Sequence, residues 1–145
     1  SKEFTDAIGE YAFHLGLAFQ MRDDIFDYSP KMDTGKLPGA DIKERKITLP
    51  LLCAMEAAPQ EEARIRTLID GIENTIEKGN EVSNSEKEII TSVNEFIYKH
   101  NGIAKAQEIL EQHVAIAQQA IEILPHSTAK ERLIQLVQYV GTRNV

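Results

Sequence analysis

The sequence predicts an all-α protein, and three observations support this fold class. Apolar residues recur at intervals of three and four along most of the chain, which is the spacing of one helix face. Capping pairs and Gly, Pro or Asn residues separate these periodic stretches. No stretch shows the strict alternation of apolar and polar residues that is typical of a half-buried strand. We therefore expect six helices in a single domain over residues 1–145.

The first predicted helix extends from the amino terminus to about Tyr28. It carries apolar residues on nearly every face, which is typical of a helix at the centre of a bundle. Residues 29–40 follow, with two Pro, two Gly and one Ser and no apolar period. This composition predicts a loop.

The second predicted helix begins at Asp41, which forms a capping-box pattern with Glu44, and continues through Met55. Pro50 lies inside it and lacks a backbone N–H, so we expect a kink that releases the carbonyl of Lys46. The remaining periodic stretches predict four further helices, at about residues 59–79, 85–101, 103–124 and 128–140.

Composition excludes several classes of function. The chain has 16 basic and 23 acidic side chains, a net charge of −7, which disfavours nucleic acid as a partner. Cys53 is the only cysteine, so no intrachain disulfide forms, and we interpret it as a small core residue. No apolar run approaches the ~20 residues of a membrane-spanning helix, and we expect a cytoplasmic location.

Three carboxylates crowd the carboxyl-terminal end of the first helix, in the stretch GLAFQMRDDIFDY (residues 16–28). On a helix Gln20, Asp23 and Asp27 lie at i, i+3 and i+7 on one face, and Asp24 lies about 100° away. The helix dipole disfavours acidic groups at this end, and neighbouring carboxylates repel one another. A hard cation relieves both problems, and Mg²⁺ binds such carboxylates together with water and phosphate oxygens. A metal site and a solvated polar helix end both fit the spacing alone.

Lys36 lies between Gly35 and Gly39, where flexible backbone allows close approach to an anion. We interpret it as a phosphate ligand, with an ordinary surface lysine as the alternative. For Asp41 and Lys46 two readings stay open: a helix cap with its neutralising neighbour, or residues that support the site.

The stretch at residues 16–28, followed by TGKLPGADIKERKITLPLL at residues 34–52, resembles the second aspartate-rich motif of the trans-type polyprenyl diphosphate synthases. Beyond residue 52 the similarity is weaker, and NGIAKAQEIL, LPHS and LVQYVGTRN resemble the tail of long-chain members such as the octaprenyl diphosphate synthases. The resemblance implies an orthogonal helical bundle with the isoprenoid (terpenoid) synthase fold, of which this chain is the carboxyl-terminal portion.

The same resemblance implies an activity and a metal site. The activity is Mg²⁺-dependent condensation of isopentenyl diphosphate with an allylic prenyl diphosphate, in a homodimer. Asp23 would bind Mg²⁺ directly and act in catalysis, while Asp24 and Asp27 would hold the waters of the ion.

The resemblance also implies roles for four further residues. Gln20 would line the substrate cavity. Lys36 would clamp the allylic diphosphate and act in catalysis, and Asp41 and Lys46 would support these groups from behind.

Parts of the family pattern are missing from these 145 residues, namely a first aspartate-rich motif, the Arg pair that follows it and an upstream Lys-Thr pair. The chain also begins at Ser1 without an initiating Met. We therefore expect a piece of a longer protein that is inactive alone. A non-catalytic helical association module is the main alternative, and a terpene cyclase is disfavoured by the loop at residues 35–41.

Five basic or titratable residues complete the set of candidates. His14, His100, His113 and His126 lie on different predicted helices, and each is interpreted as a satisfied or exposed side chain. Arg143 near the terminus either contacts isopentenyl diphosphate or belongs to a frayed chain end.

Overall fold

A computed structural model describes residues 1–28, 39–72 and 84–142 of the chain. These residues form seven α-helices: α1 Lys2–Asp27, α2 Ala40–Lys43, α3 Leu49–Ala57, α4 Glu62–Asp70, α5 Asn84–Lys99, α6 Gly102–Ala120 and α7 Thr128–Gly141. A 3₁₀ turn at Pro59–Glu61 leads into α4. No strand occurs among the described residues, which confirms the all-α prediction.

The prediction of one kinked helix from Asp41 to Met55 is wrong, because this region forms two helices. The chain leaves α2 through Arg45, whose φ of 60° lies in the left-handed region, and restarts at Leu49. Pro50 therefore lies in the first turn of α3, where its missing N–H removes no helical hydrogen bond. Asp41 lies inside α2 and is not its N-cap.

Two other helix starts also differ from the prediction. The α5 helix begins at Asn84, one residue before the predicted Ser85. For α7 the N-cap is Ser127, whose hydroxyl accepts a hydrogen bond from the backbone N–H of Lys130 at 3.0 Å. The chain turns between α5 and α6 through Asn101, which has a φ of 55°.

The chain divides into two compact units. The first contains residues 1–23 and 107–145 and has a buried core formed by Tyr11, Ala117, Ile121 and Val137. The Tyr11 hydroxyl donates a hydrogen bond to the carbonyl of Leu133 at 2.6 Å, which ties α1 to α7 in this unit.

The second unit contains residues 24–106. Its core joins side chains from α2, α3, α4 and α5, the largest fully buried being Tyr28, Ile42, Leu51, Ile65, Ile72, Val93 and Ile97. Cys53 is also buried in this unit, which confirms its interpretation as a core residue. Burial raises the pKa of its thiol, which favours the neutral thiol over the reactive thiolate.

The composition of α1 predicts a helix that is buried on nearly every face, but several of its apolar side chains are exposed. Phe13 is 63% exposed, and Ile8 and Phe19 are each 48% exposed. Large apolar groups on one helix that remain in water favour association with another polypeptide surface. Among the described residues, none of the helices is both long enough and apolar enough to cross a membrane.

Candidate active site

The acidic motif and Gln20 occupy the last two turns of α1, where the predicted site residues differ sharply in exposure. Gln20 and Asp23 are exposed at the end of the first unit. Asp24 is half-buried and Asp27 is 9% exposed, and both belong to the second unit. The side chain of Asp23 is therefore more exposed to solvent than that of Asp27.

Asp24 and Asp27 each accept a backbone hydrogen bond from the segment that follows the loop. Oδ2 of Asp27 accepts from the N–H of Asp41 at 3.2 Å, and Oδ2 of Asp24 accepts from the N–H of Leu49 at 3.2 Å. Amides at the start of a helix lack intrahelical partners, and a carboxylate there is favoured by the helix dipole. The two aspartates thus anchor the first turns of α2 and α3.

Tyr28 provides a second anchor next to the motif. Its side chain is 1% exposed, and its hydroxyl lies 3.1 Å from the hydroxyl of Thr48, the N-cap residue of α3. The hydroxyl of Tyr98 donates to the carbonyl oxygen of Tyr28 at 3.1 Å. Burial raises the pKa of Tyr28, and the charges of Asp27 and Asp41 add to this effect, so the phenol stays neutral.

Negative charges converge in this part of the second unit. Burial raises the pKa of Asp41, and the nearby charge of Asp27 raises it further, while Lys46 opposes both. The ammonium of Lys46 lies 2.7 Å from Glu44 and 4.0 Å from Asp41. Because Lys46 and Glu44 are both largely exposed, their ion pair contributes little to stability. The predicted pairing of Glu44 with Asp41 in a capping box is replaced by this contact.

The donor chemistry of the motif fits Mg²⁺. Carboxylate oxygens are hard ligands, and Mg²⁺ takes one or two of them and completes its shell with water and phosphate oxygens. Within residues 1–28, 39–72 and 84–142, no three His, Cys, Asp or Glu side chains converge closely enough to hold an ion by themselves. Lys36 and Arg143 lie outside the described residues.

Sequence reasoning missed two contacts in the first unit. The guanidinium of Arg22 lies 4.5 Å from the centre of the Tyr139 ring, and Arg22 itself is 9% exposed. The sequence predicts no contact between His14 and His113, which lie on different helices, yet their Nδ1 atoms lie 2.8 Å apart. Burial lowers the pKa of His113, and the neighbouring His14 lowers it further. No periodicity reveals such pairs, because they join residues that are distant in sequence.

Comparison with known proteins identifies the class to which this fold and motif belong. Residues 1–89 match the family model for polyprenyl synthetase, and the chain belongs to this family. It is 34% identical over 131 residues to a nonaprenyl diphosphate synthase of Mycobacterium tuberculosis and 35% identical over 139 residues to an octaprenyl diphosphate synthase of Haemophilus influenzae. These alignments cover 90% and 95% of the chain but only 36% and 39% of the two relatives.

Solved structures agree with this assignment. An Arabidopsis medium/long-chain prenyl pyrophosphate synthase in its apo form is 32% identical, with a TM-score of 0.75 over 100% of this chain and 46% of that one. A geranylgeranyl pyrophosphate synthase from Corynebacterium glutamicum, solved with calcium and isoprenyl diphosphate, is 27% identical, with a TM-score of 0.73 over 97% of this chain and 40% of its own. The predicted family resemblance and isoprenoid synthase fold are confirmed.

Proposed function

We propose that the complete protein is a trans-prenyltransferase that joins isopentenyl diphosphate to an allylic prenyl diphosphate. The observation that carries this proposal is the different environment of the three aspartates in the acidic motif. Asp23 is exposed, whereas Asp24 and Asp27 accept hydrogen bonds from the backbone at the starts of α3 and α2. Family membership and the names of the octaprenyl and nonaprenyl relatives support the substrate class.

The proposed metal is Mg²⁺, with Asp23 as its direct ligand and Asp24 and Asp27 holding its waters. The backbone hydrogen bonds of Asp24 and Asp27 support this assignment, since one oxygen of each carboxylate is already engaged. A related synthase solved with calcium and isoprenyl diphosphate supports a divalent cation beside a diphosphate. When bound, the ion withdraws negative charge from the departing diphosphate.

The residues of this chain then have separate tasks. Lys36 binds the allylic diphosphate and stabilises the charge that grows on it as the C–O bond breaks. Gln20 lines the cavity beside the reacting carbons. The π electrons of isopentenyl diphosphate form the new C–C bond, a proton leaves, and diphosphate is released.

Asp41 and Lys46 support the site without contacting substrate. Asp41 shares its surroundings with Asp27 and presents its backbone N–H to that carboxylate. Lys46 offsets the negative charge of this group. The backbone N–H of Asp41 thereby ties the segment after the loop to the end of α1.

We also propose a homodimer for the complete protein, and a cytoplasmic location stays a prediction. The exposed Phe13, Phe19 and Ile8 support association with another polypeptide surface. The same observation favours the second candidate function, a non-catalytic helical association module.

The deciding experiment uses the full-length protein. We expect labelled isopentenyl diphosphate to enter a longer prenyl diphosphate when an allylic diphosphate and saturating Mg²⁺ are present. Asp23→Ala should slow turnover more than Asp27→Ala, because only Asp23 contacts the ion directly. Absence of incorporation by the correctly folded wild type would favour the association module. Equal losses of turnover in the two variants would mean that the assignment of Asp23 as the direct metal ligand is wrong.

A further inference from the structure

His14 on α1 and His113 on α6 meet in the first unit through the same ring atom. Their Nδ1 atoms lie 2.8 Å apart, the ring centroids are 5.1 Å apart and the ring planes differ by 26°. The two ring centroids are farther apart than the two Nδ1 atoms by about the width of one imidazole ring. The Nδ1 atoms therefore lie between the centroids, and the two rings meet end to end. Both side chains are partly buried.

Two nitrogens at this distance can share one proton. The protonated Nδ1 of one histidine donates a hydrogen bond, and the lone pair on Nδ1 of the other histidine accepts it. Replacing that proton by a metal ion would engage both lone pairs. Neutral imidazole is the commonest protein ligand for Zn²⁺, Cu²⁺ and Ni²⁺.

The distance between the nitrogens also discriminates among coordination geometries. Two nitrogens each ~2.0–2.1 Å from an ion lie about 2.9 Å apart at a right angle and about 3.4 Å apart at a tetrahedral angle. The observed 2.8 Å is closer to the right-angle separation, so the smaller rearrangement of the two rings leads to neighbouring corners of a square-planar or octahedral shell, the geometry of Cu²⁺ and Ni²⁺. Both rings must turn about their Cβ–Cγ bonds to aim at a common point.

We propose that His14 and His113 form a binding site for one divalent transition-metal ion of the Ni²⁺ or Cu²⁺ type. Water completes the coordination shell, since in the described part of the chain no third acidic, His or Cys ligand converges there. Phe13 lies edge-on to His14, with the ring centroids 5.1 Å apart. The ion would bind the folded protein in preference to the unfolded chain, because only folding brings α1 and α6 together.

The test is calorimetric titration with Ni²⁺ on the 145-residue chain, combined with thermal unfolding. We expect one Ni²⁺ per chain, a higher Tm with the ion, and tighter binding of Ni²⁺ than of Zn²⁺. His14→Asn and His113→Asn should each weaken binding at least tenfold and abolish the Tm shift. The matched control is His126→Asn, which alters an exposed histidine of the same unit and should change neither.

Three results would overturn the proposal: no binding to the wild type, tight binding retained in both pair variants, or binding lost in Asp23→Asn but kept in His14→Asn. The last would assign the ion to the acidic motif. Circular dichroism of each apo variant confirms that a loss of binding is not a loss of folding.

Discussion

Oδ2 of Asp24 accepts a hydrogen bond from the backbone N–H of Leu49 at 3.2 Å, across 25 residues of sequence. A member of the acidic motif is therefore also a structural link between the end of α1 and the start of α3. A matching link joins Asp27 to the backbone of Asp41.

This hydrogen bond predicts that Asp24 contributes to the stability of the fold, whereas Asp23, the proposed metal ligand, does not. Asp24→Ala removes the acceptor and should lower the free energy of unfolding by about 1–3 kcal/mol. Asp23→Ala alters an exposed side chain and should change it by less than about 0.5 kcal/mol. Urea unfolding of both variants measures the difference. Equal stabilities for the two would show that the Asp24 hydrogen bond is dispensable.

Lys36 provides a kinetic prediction for the proposed full-length prenyltransferase. Lys36→Ala should raise the KM for the allylic substrate and lower kcat, since charge grows on the departing diphosphate. Loss of one such contact costs ~2–4 kcal/mol of transition-state stabilisation. Lys36→Arg should recover only part, because a planar guanidinium differs from a compact ammonium. Kinetics varied separately in each substrate decide the matter, and unchanged allylic parameters would make Lys36 a bystander.

Two glycines should respond to alanine with opposite signs. A Cβ on Gly102 would collide with the backbone carbonyl oxygen of Pro50 and lie 3.2 Å from Cβ of Ala54. Gly102→Ala should therefore destabilise the protein by about 1–3 kcal/mol. Gly9, inside α1, has nothing within 4 Å of such a Cβ. Gly9→Ala should stabilise by roughly 0.5–1 kcal/mol through lower backbone entropy in the unfolded chain. Denaturant midpoints of the two variants measure these changes in stability. Destabilisation by Gly9→Ala would contradict the prediction that a Cβ fits at this position.

Glu61 should make the stability of the folded protein decrease as the pH is lowered into the acid range. Hydrogen bonds from Arg64 at 2.8 Å and then from His100 at 3.0 Å lower the pKa of its carboxyl. A lowered folded-state pKa stabilises the protein above the ordinary Glu value, and this contribution is lost as pH falls through the folded-state value. Glu61→Gln should thus be less stable than wild type at neutral pH, with the gap closing in acid. Thermal unfolding across this range tests it, and a constant gap would exclude the linkage.

Much of the fold could be predicted from local patterns. Helical periodicity located most of the helices, since each buries one stripe of apolar residues whatever its partner. The order of residues 16–28 also indicated a metal motif, because carboxylates at a helix carboxyl terminus are locally unfavourable. These inferences need only neighbours within a few turns.

Features that depend on long-range contacts could not be predicted in this way. The pattern around Pro50 fits both a kinked helix and a new one. In the structure a new helix begins at Leu49, whose backbone N–H donates a hydrogen bond to Asp24. Asp23 and Asp27 have the same residue type and lie on one helix face, yet one is exposed and the other buried.

Composition, periodicity and motif spacing were enough to identify the fold class, the family motif and the charged residues at the end of α1. The folded chain was needed to show that Asp23 is exposed, that Asp24 and Asp27 accept hydrogen bonds from backbone amides, and that His14 contacts His113. Burial and hydrogen bonding arise between segments that are distant along the chain, whereas helical periodicity and motif spacing are local.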